Sequence, residues 1–133
     1  MKTNLSKYFA SDSNLEADGV WVDLAEDVSF KIKRFGGKNA AKIKLLQAKY
    51  MKPYARQIEK GILDPEKERS IYIKIFSESC MVDWKGVVDE NDKEISFSID
   101  NAINLFSNLP DLFDFIVAES LNTDNYREDL GNS

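Results

Sequence analysis

The residue types that could carry chemistry are few, and their spacing decides what they can do. Histidine is absent and Cys80 is the single cysteine. Neither a Ser/His nor a Cys/His nucleophile pair can be built from such a chain. The commonest transition-metal ligand is missing too, and no disulfide can close within the chain. Gly36-Gly37-Lys38 has the texture of a phosphate loop, but that loop needs a glycine five residues before its Gly-Lys pair and a Ser or Thr after it. Those positions hold Ile32 and Asn39, so the glycines read as a strand-to-helix turn.

The run Asp89-Glu90-Asn91-Asp92-Lys93-Glu94 places oxygen ligands where the first and third positions of a calcium loop would be. Lys93 then stands at a ligand position, Glu94 where the turn glycine belongs, and Asp100 where a bidentate Glu is required. A solvated hairpin turn is the better reading. The remaining carboxylates fall in turns, helix starts and polar faces, with no pocket motif for glycoside hydrolysis. Cys80 lies toward the end of a helix, where the dipole does not activate a thiol, and reads as a small core residue. No enzymatic activity, cofactor or metal is expected.

Charge is more informative. The net charge of −5 conceals a balance of −4 over residues 1–30, +9 over residues 31–74 and −10 over residues 75–133. Lys38, Lys42, Lys49, Lys52 and Arg56 fall on one stripe at helical spacing. Such a stripe could neutralise phosphates, with Tyr50 and Tyr54 stacking on bases, but the acidic whole disfavours nucleic acid. A solvated face or a protein contact is the better reading, and the contact these five residues could make is electrostatic self-association with the acidic half of a second copy.

The elements that must position these groups follow from periodicity. At 133 residues the chain is the size of one domain. Residues 1–18 are polar and read as a flexible arm. Residues 19–122 form the domain, and 123–133 read as a disordered tail. Val20-Trp21-Val22 and Val28-Ser29-Phe30-Lys31-Ile32 alternate across a short polar turn, which predicts a β-hairpin with Val28, Phe30 and Ile32 on its buried face.

Asn39 is positioned to cap a helix carrying Ile43, Leu46, Tyr50 and Met51, which Pro53 interrupts. Asp64-Pro65-Glu66 starts a helix running to about Val82, with Ile71, Tyr72, Ile75 and Phe76 on its apolar side. Trp84–Val88 and Ile95-Ser96-Phe97 read as a second hairpin. Ser98 or Asp100 opens a helix with Ile99, Ala102, Ile103 and Phe106 on one face, and Pro110 separates it from an almost wholly apolar helix ending at Leu121. The expected class is α+β, mainly helical, with one or two short hairpins. No stretch approaches the ~20 apolar residues of a membrane span, and no secretory signal is visible, so a cytosolic protein is expected.

The order Trp84-Lys85-Gly86-Val87, acidic turn, Lys93-Glu94-Ile95-Ser96-Phe97, helix, then Leu109-Pro110-Asp111-Leu112-Phe113 resembles the C-terminal half of the tail assembly chaperones of long-tailed bacteriophages. Val28–Arg34, the Lys-rich helix and Lys52-Pro53-Tyr54 are similar to the N-terminal half of that family. Asp92 departs from it, since glycine is the expected turn residue.

The resemblance implies a protein of the infected cell's cytoplasm that coats the aggregation-prone tape measure protein, recruits tail tube subunits, self-associates and is absent from the mature virion. Ile103, Phe106, Leu109, Leu112, Phe113 and Ile116 would then face the client or a second copy. The alternatives are a structural head–tail or tail-completion protein retained in the virion, and a small acidic regulator of a host protein.

Overall fold

A computed structural model describes residues 2–127. The first hairpin forms as the alternation requires. Strand β1 (Val20–Ala25) pairs antiparallel with β2 (Val28–Ile32), Val22 facing Phe30 and Val20 facing Ile32. Phe30 and Ile32 are fully buried and Val28 is half-buried, because alternate side chains of a strand share one face.

Helices α3 (Ala40–Met51) and α4 (Ala55–Glu59) are separated by a 3-10 turn over Lys52–Tyr54, where the ring of Pro53 stops the α-helical ladder. Helix α5 (Pro65–Cys80) starts with proline at its first position. It then passes directly into β3 (Met81–Lys85), so the sheet has the order β1-β2-β3.

This junction corrects two expectations. The helix stops two residues before Val82, and the chain then pairs with β2, Phe30 facing Trp84. The 86–97 segment contributes only an isolated bridge between Val88 and Glu94 in place of a second hairpin. At the helix end Ser79 Oγ donates back to the Ile75 carbonyl at 2.7 Å. Beyond it Met81, Val82 and Trp84 are better strand residues than helix residues.

Helix α5 is the axis of the core. Ile71, Ile73, Ile75, Phe76 and Cys80 are buried, together with Ser77 and Ser79, because α3 packs on one side of it, α6 (Ile99–Asn108) on another, and the sheet continues from its end. Tyr72, expected on the apolar face, is 40% exposed. Helix α7 (Pro110–Leu121) folds back on α6 and closes the aromatic cluster. Phe113 lies 5.6 Å from Phe76 and 5.4 Å from Phe106, ring centre to ring centre. Ser98, as expected, caps α6 by accepting from the Asn101 amide at 3.0 Å.

Both ends of the described chain depart from the expected disorder. Residues 1–18 were expected to be a flexible arm, yet they contain α1 (Leu5–Phe9) and α2 (Ser13–Asp18), each with a polar side chain, Asn4 and Asp12, accepting from its first amides. Glu16 of α2 is buried and bonded to Arg34. Gly37, at φ +53°, permits this, since a Cβ there would stand 2.1 Å from Glu16 Oε1.

The tail expected over 123–133 begins instead with a 3-10 turn, Thr123–Tyr126, whose Tyr126 is fully buried. The Asp12 amide donates to the Tyr126 carbonyl at 2.7 Å, so the two ends are joined. A single large aromatic supplies enough apolar burial to order a short polar segment. The rest of that expected tail lies outside the described residues.

Candidate protein-binding surface

The six residues expected to meet a partner do not form one surface. Phe106 and Ile116 are fully buried and Phe113 is 6% exposed, so these three belong to the core and are unavailable to a client in this fold. They are the residues of the α6–α7 pair that point toward α5 and seal the aromatic cluster. Ile103 and Leu112 are half-buried against the core, and Leu109 is 49% exposed. The apparent excess of apolar surface in these helices is therefore largely used inside the domain.

Leu109 is open because it sits between α6 and α7, and it leads to a groove that periodicity alone did not reveal. Val88, Ile95, Leu105 and Leu109 line an open groove of about 380 Å3, together with Asn101 and Asn104 of α6. Leu105 and Leu109 are four residues apart and so lie on one flank of the helix, beside the buried Ala102 and Phe106. That spacing was the available signal, masked by the stronger core pattern beside it.

The opposite wall of the groove is the 86–95 segment, and Trp84 holds it. The indole Nε1 donates to the Ile95 carbonyl at 2.8 Å, and its ring meets Phe97 edge-on at 5.2 Å. Gly86 follows at φ +76°, packed so closely on the first hairpin that a Cβ would stand 1.8 Å from the Asp27 carbonyl oxygen. No other residue fits there without moving backbone. The acidic run at the groove's end forms a tight turn. The Asp89 carboxylate accepts from the Asn91 and Lys93 amides at 2.8 and 3.0 Å, with Asp92 at φ +61°. Asp92 therefore takes the left-handed conformation for which glycine was expected.

A second open groove, about 430 Å3, lies between α5 and α7, floored by Phe35, Tyr72, Phe76 and Val117. Arg69 spans its edge, donating to Asp114 at 2.9 Å and to the Pro110 carbonyl at 3.0 Å. Both partners of that ion pair are well exposed, so it orients the helices while contributing little stability.

Lys38, Lys42, Lys49, Lys52 and Arg56 are all exposed, but they are not one helical stripe. Lys38 precedes α3 in a 3-10 turn, Lys52 lies in the turn around Pro53, and Arg56 belongs to α4. Asn39, expected as the cap of α3, is instead a buried bridge. Its amide donates to the Ser79 carbonyl at 2.7 Å and the Arg34 carbonyl at 3.2 Å. Tyr50 packs near Glu78, which pushes its phenol above the usual range through hydrogen bonding.

Cys80 is fully buried, and that burial pushes its thiol up to about 11, against weaker lowering by contacts with Ser79 and Asn39. The thiol is neutral at physiological pH and makes a poor nucleophile. Because the folded value exceeds the unfolded one of 9.0, the native state binds the extra proton between these values. Stability is therefore fully present below about pH 9 and is lost as pH rises toward about 11, by on the order of 2 kcal/mol. Urea titrations at stepped pH are expected to show this loss, and Cys80→Ala to reduce it. Among the described residues no group of three His, Cys, Asp or Glu side chains is placed to hold a metal ion, and no helix is long and apolar enough to cross a membrane.

The fold and its surface thus define a small, mainly helical α+β protein that presents open apolar grooves beside a charged turn. Residues 38–131 match the model of the YdaY prophage protein family, and the chain belongs to that family. The matched span contains α3 to α7 and the whole lining of the α6 groove, and leaves α1, α2, the first hairpin and Phe35 of the second groove outside it. No curated protein and no solved structure matches the chain.

Proposed function

We propose that this prophage-family protein is a tail assembly chaperone. It acts by non-covalent binding, holding the tape measure protein soluble in the host cytoplasm and yielding to tail tube subunits before the virion is complete. The observation that carries this reading is the groove between α6 and the 86–95 segment. It presents Val88 and Leu109, each nearly half exposed, beside half-buried Leu105. An apolar groove edged by polar side chains suits an amphipathic helix, which enters it with side chains spaced three and four apart. Covering the open parts of Val88 and Leu109 contributes on the order of 1 kcal/mol each, so several such contacts along a client add to a useful but reversible grip.

Co-expression with the tape measure protein of the same genome tests the proposal. Soluble tape measure co-eluting with this chain is expected, together with loss of co-elution for Val88→Asp/Leu109→Asp, whose circular dichroism stays native. An insoluble tape measure beside a lone small protein would overturn it.

A further inference from the structure

The lysines that converge in space are not those that align in sequence. Lys49 of α3 and Lys74 of α5 stand 5.2 and 6.0 Å from the ring centre of Tyr50, and Lys67 of α5 stands 5.4 Å from that of Tyr54. With Ser70 they line one recess of about 210 Å3 where α3 and the turn around Pro53 cross α5. The tyrosine faces hold the ammonium groups by cation–π attraction. Glu78 acts on the Tyr50 phenol, and its Oε2 is buried without a hydrogen-bond partner among the described residues. The ion pairs among the described residues are Arg34–Glu16, Arg69–Asp114 and Arg127–Asp124, and none of them includes a lysine. Three exposed positive charges are thus gathered in a concave site, and none of them forms an ion pair among the described residues.

The complementary feature is the acidic turn. Asp89 spends its carboxylate on the turn's own amides, which fixes the backbone. Glu90, Asp92 and Glu94 are exposed and take part in none of the ion pairs. A shaped convex tip with three free carboxylates and a concave site with three free ammonium groups occur on one chain and do not pair within it.

We propose that the recess formed by Lys49, Lys67 and Lys74 receives the Glu90–Glu94 turn of a second copy of this chain, giving a head-to-tail, salt-sensitive association. The charge division of the sequence supports a second copy as the occupant, because residues 31–74 carry +9 and residues 75–133 carry −10. Charges so arranged steer encounter and fix register between partners. The contact is heterologous, joining two different surfaces, so each copy retains one free recess and one free turn for further copies. Glu90 also lines the α6 groove, so the contact adjoins that groove, and the inference stands whether or not the tape measure protein is the client.

The full chain in sedimentation equilibrium is the test, read at about 0.05 M and about 0.5 M salt, where screening lengths differ about threefold. Self-association is expected at the lower salt, with a dissociation constant raised more than tenfold at the higher. Lys49→Glu/Lys67→Glu/Lys74→Glu and Glu90→Lys/Asp92→Lys/Glu94→Lys are each expected to be folded and monomeric, and to associate when mixed. All six positions are exposed, and Lys→Gln and acid→amide versions of the same sets serve as milder variants should a reversal fail to fold. A chain monomeric at both salts, association indifferent to salt, or variants that assemble like the parent would overturn the proposal. So would a monomer whose recess binds single-stranded DNA with an affinity abolished by the lysine changes, which would assign the site to nucleic acid.

Discussion

A chain carrying Phe113→Asp is expected to be unfolded, and not merely folded and unable to bind. The ring lies in edge-on contact with Phe76 and at 5.4 Å from Phe106, with 6% of its surface exposed. Removing a buried phenylalanine side chain costs about 3–5 kcal/mol through lost transfer energy and the cavity left behind. Placing a carboxylate in that cavity adds several kcal/mol more, or forces the group to be protonated. Domains of this size are stable by only about 5–15 kcal/mol, so the summed cost reaches the whole stability. Circular dichroism and a urea titration decide the matter. A cooperative native-like transition for Phe113→Asp would show that this ring faces a partner surface after all.

Tyr126→Ala is the second large effect, in a segment whose composition reads as dispensable. The ring is fully buried, and truncation is expected to lower stability by about 3–5 kcal/mol. Tyr126→Phe is expected to behave in the opposite sense. The hydroxyl is buried with no hydrogen-bond partner among the described residues, and burial pushes its pKa well above the ordinary phenol range. Deleting an unsatisfied hydroxyl while keeping the ring removes a desolvation cost of about 1–3 kcal/mol. Thermal melts of the two variants should therefore move apart, Ala downward and Phe level or upward. A downward shift for both would mean that the hydroxyl is paired.

The parts of the fold that were legible in the sequence are those in which one pattern had one reading. Phe30 and Ile32 alternate with polar residues and are bounded by a turn and two glycines, so the hairpin and its buried face could be read directly. Ser98, Pro65 and Pro110 mark helix starts for reasons local to the backbone.

Where one residue type serves two ends, the sequence could not choose between them. Asn39 has the chemistry of a helix cap, but the same amide can bridge two carbonyls from distant segments, and only packing brings Ser79 to it. Strand β3 was hidden because it abuts α5 without a loop, and its Met81-Val82 start continues the helix's apolar character.

The candidate site shows the same limit. Phe106, Phe113 and Ile116 are of the same types as Ile103 and Phe115 in these two helices, and a core selects for that character as strongly as an interface does. Leu109 and Val88 become distinctive only when their exposure is known. The pair of buried Glu16 and half-buried Arg34 joins segments whose composition, acidic on one side and basic on the other, gave no hint of which residues would meet.

The hydrogen bond from the Asp12 amide to the Tyr126 carbonyl has a topological consequence. The chain closes on itself, so its first helical turns acquire their final neighbours only after the residues around 126 have been synthesised. During synthesis Glu16 then meets Arg34 early, and the Tyr126 seal comes late. Fluorophores attached beside Asp12 and Tyr126 would stand close enough for efficient energy transfer.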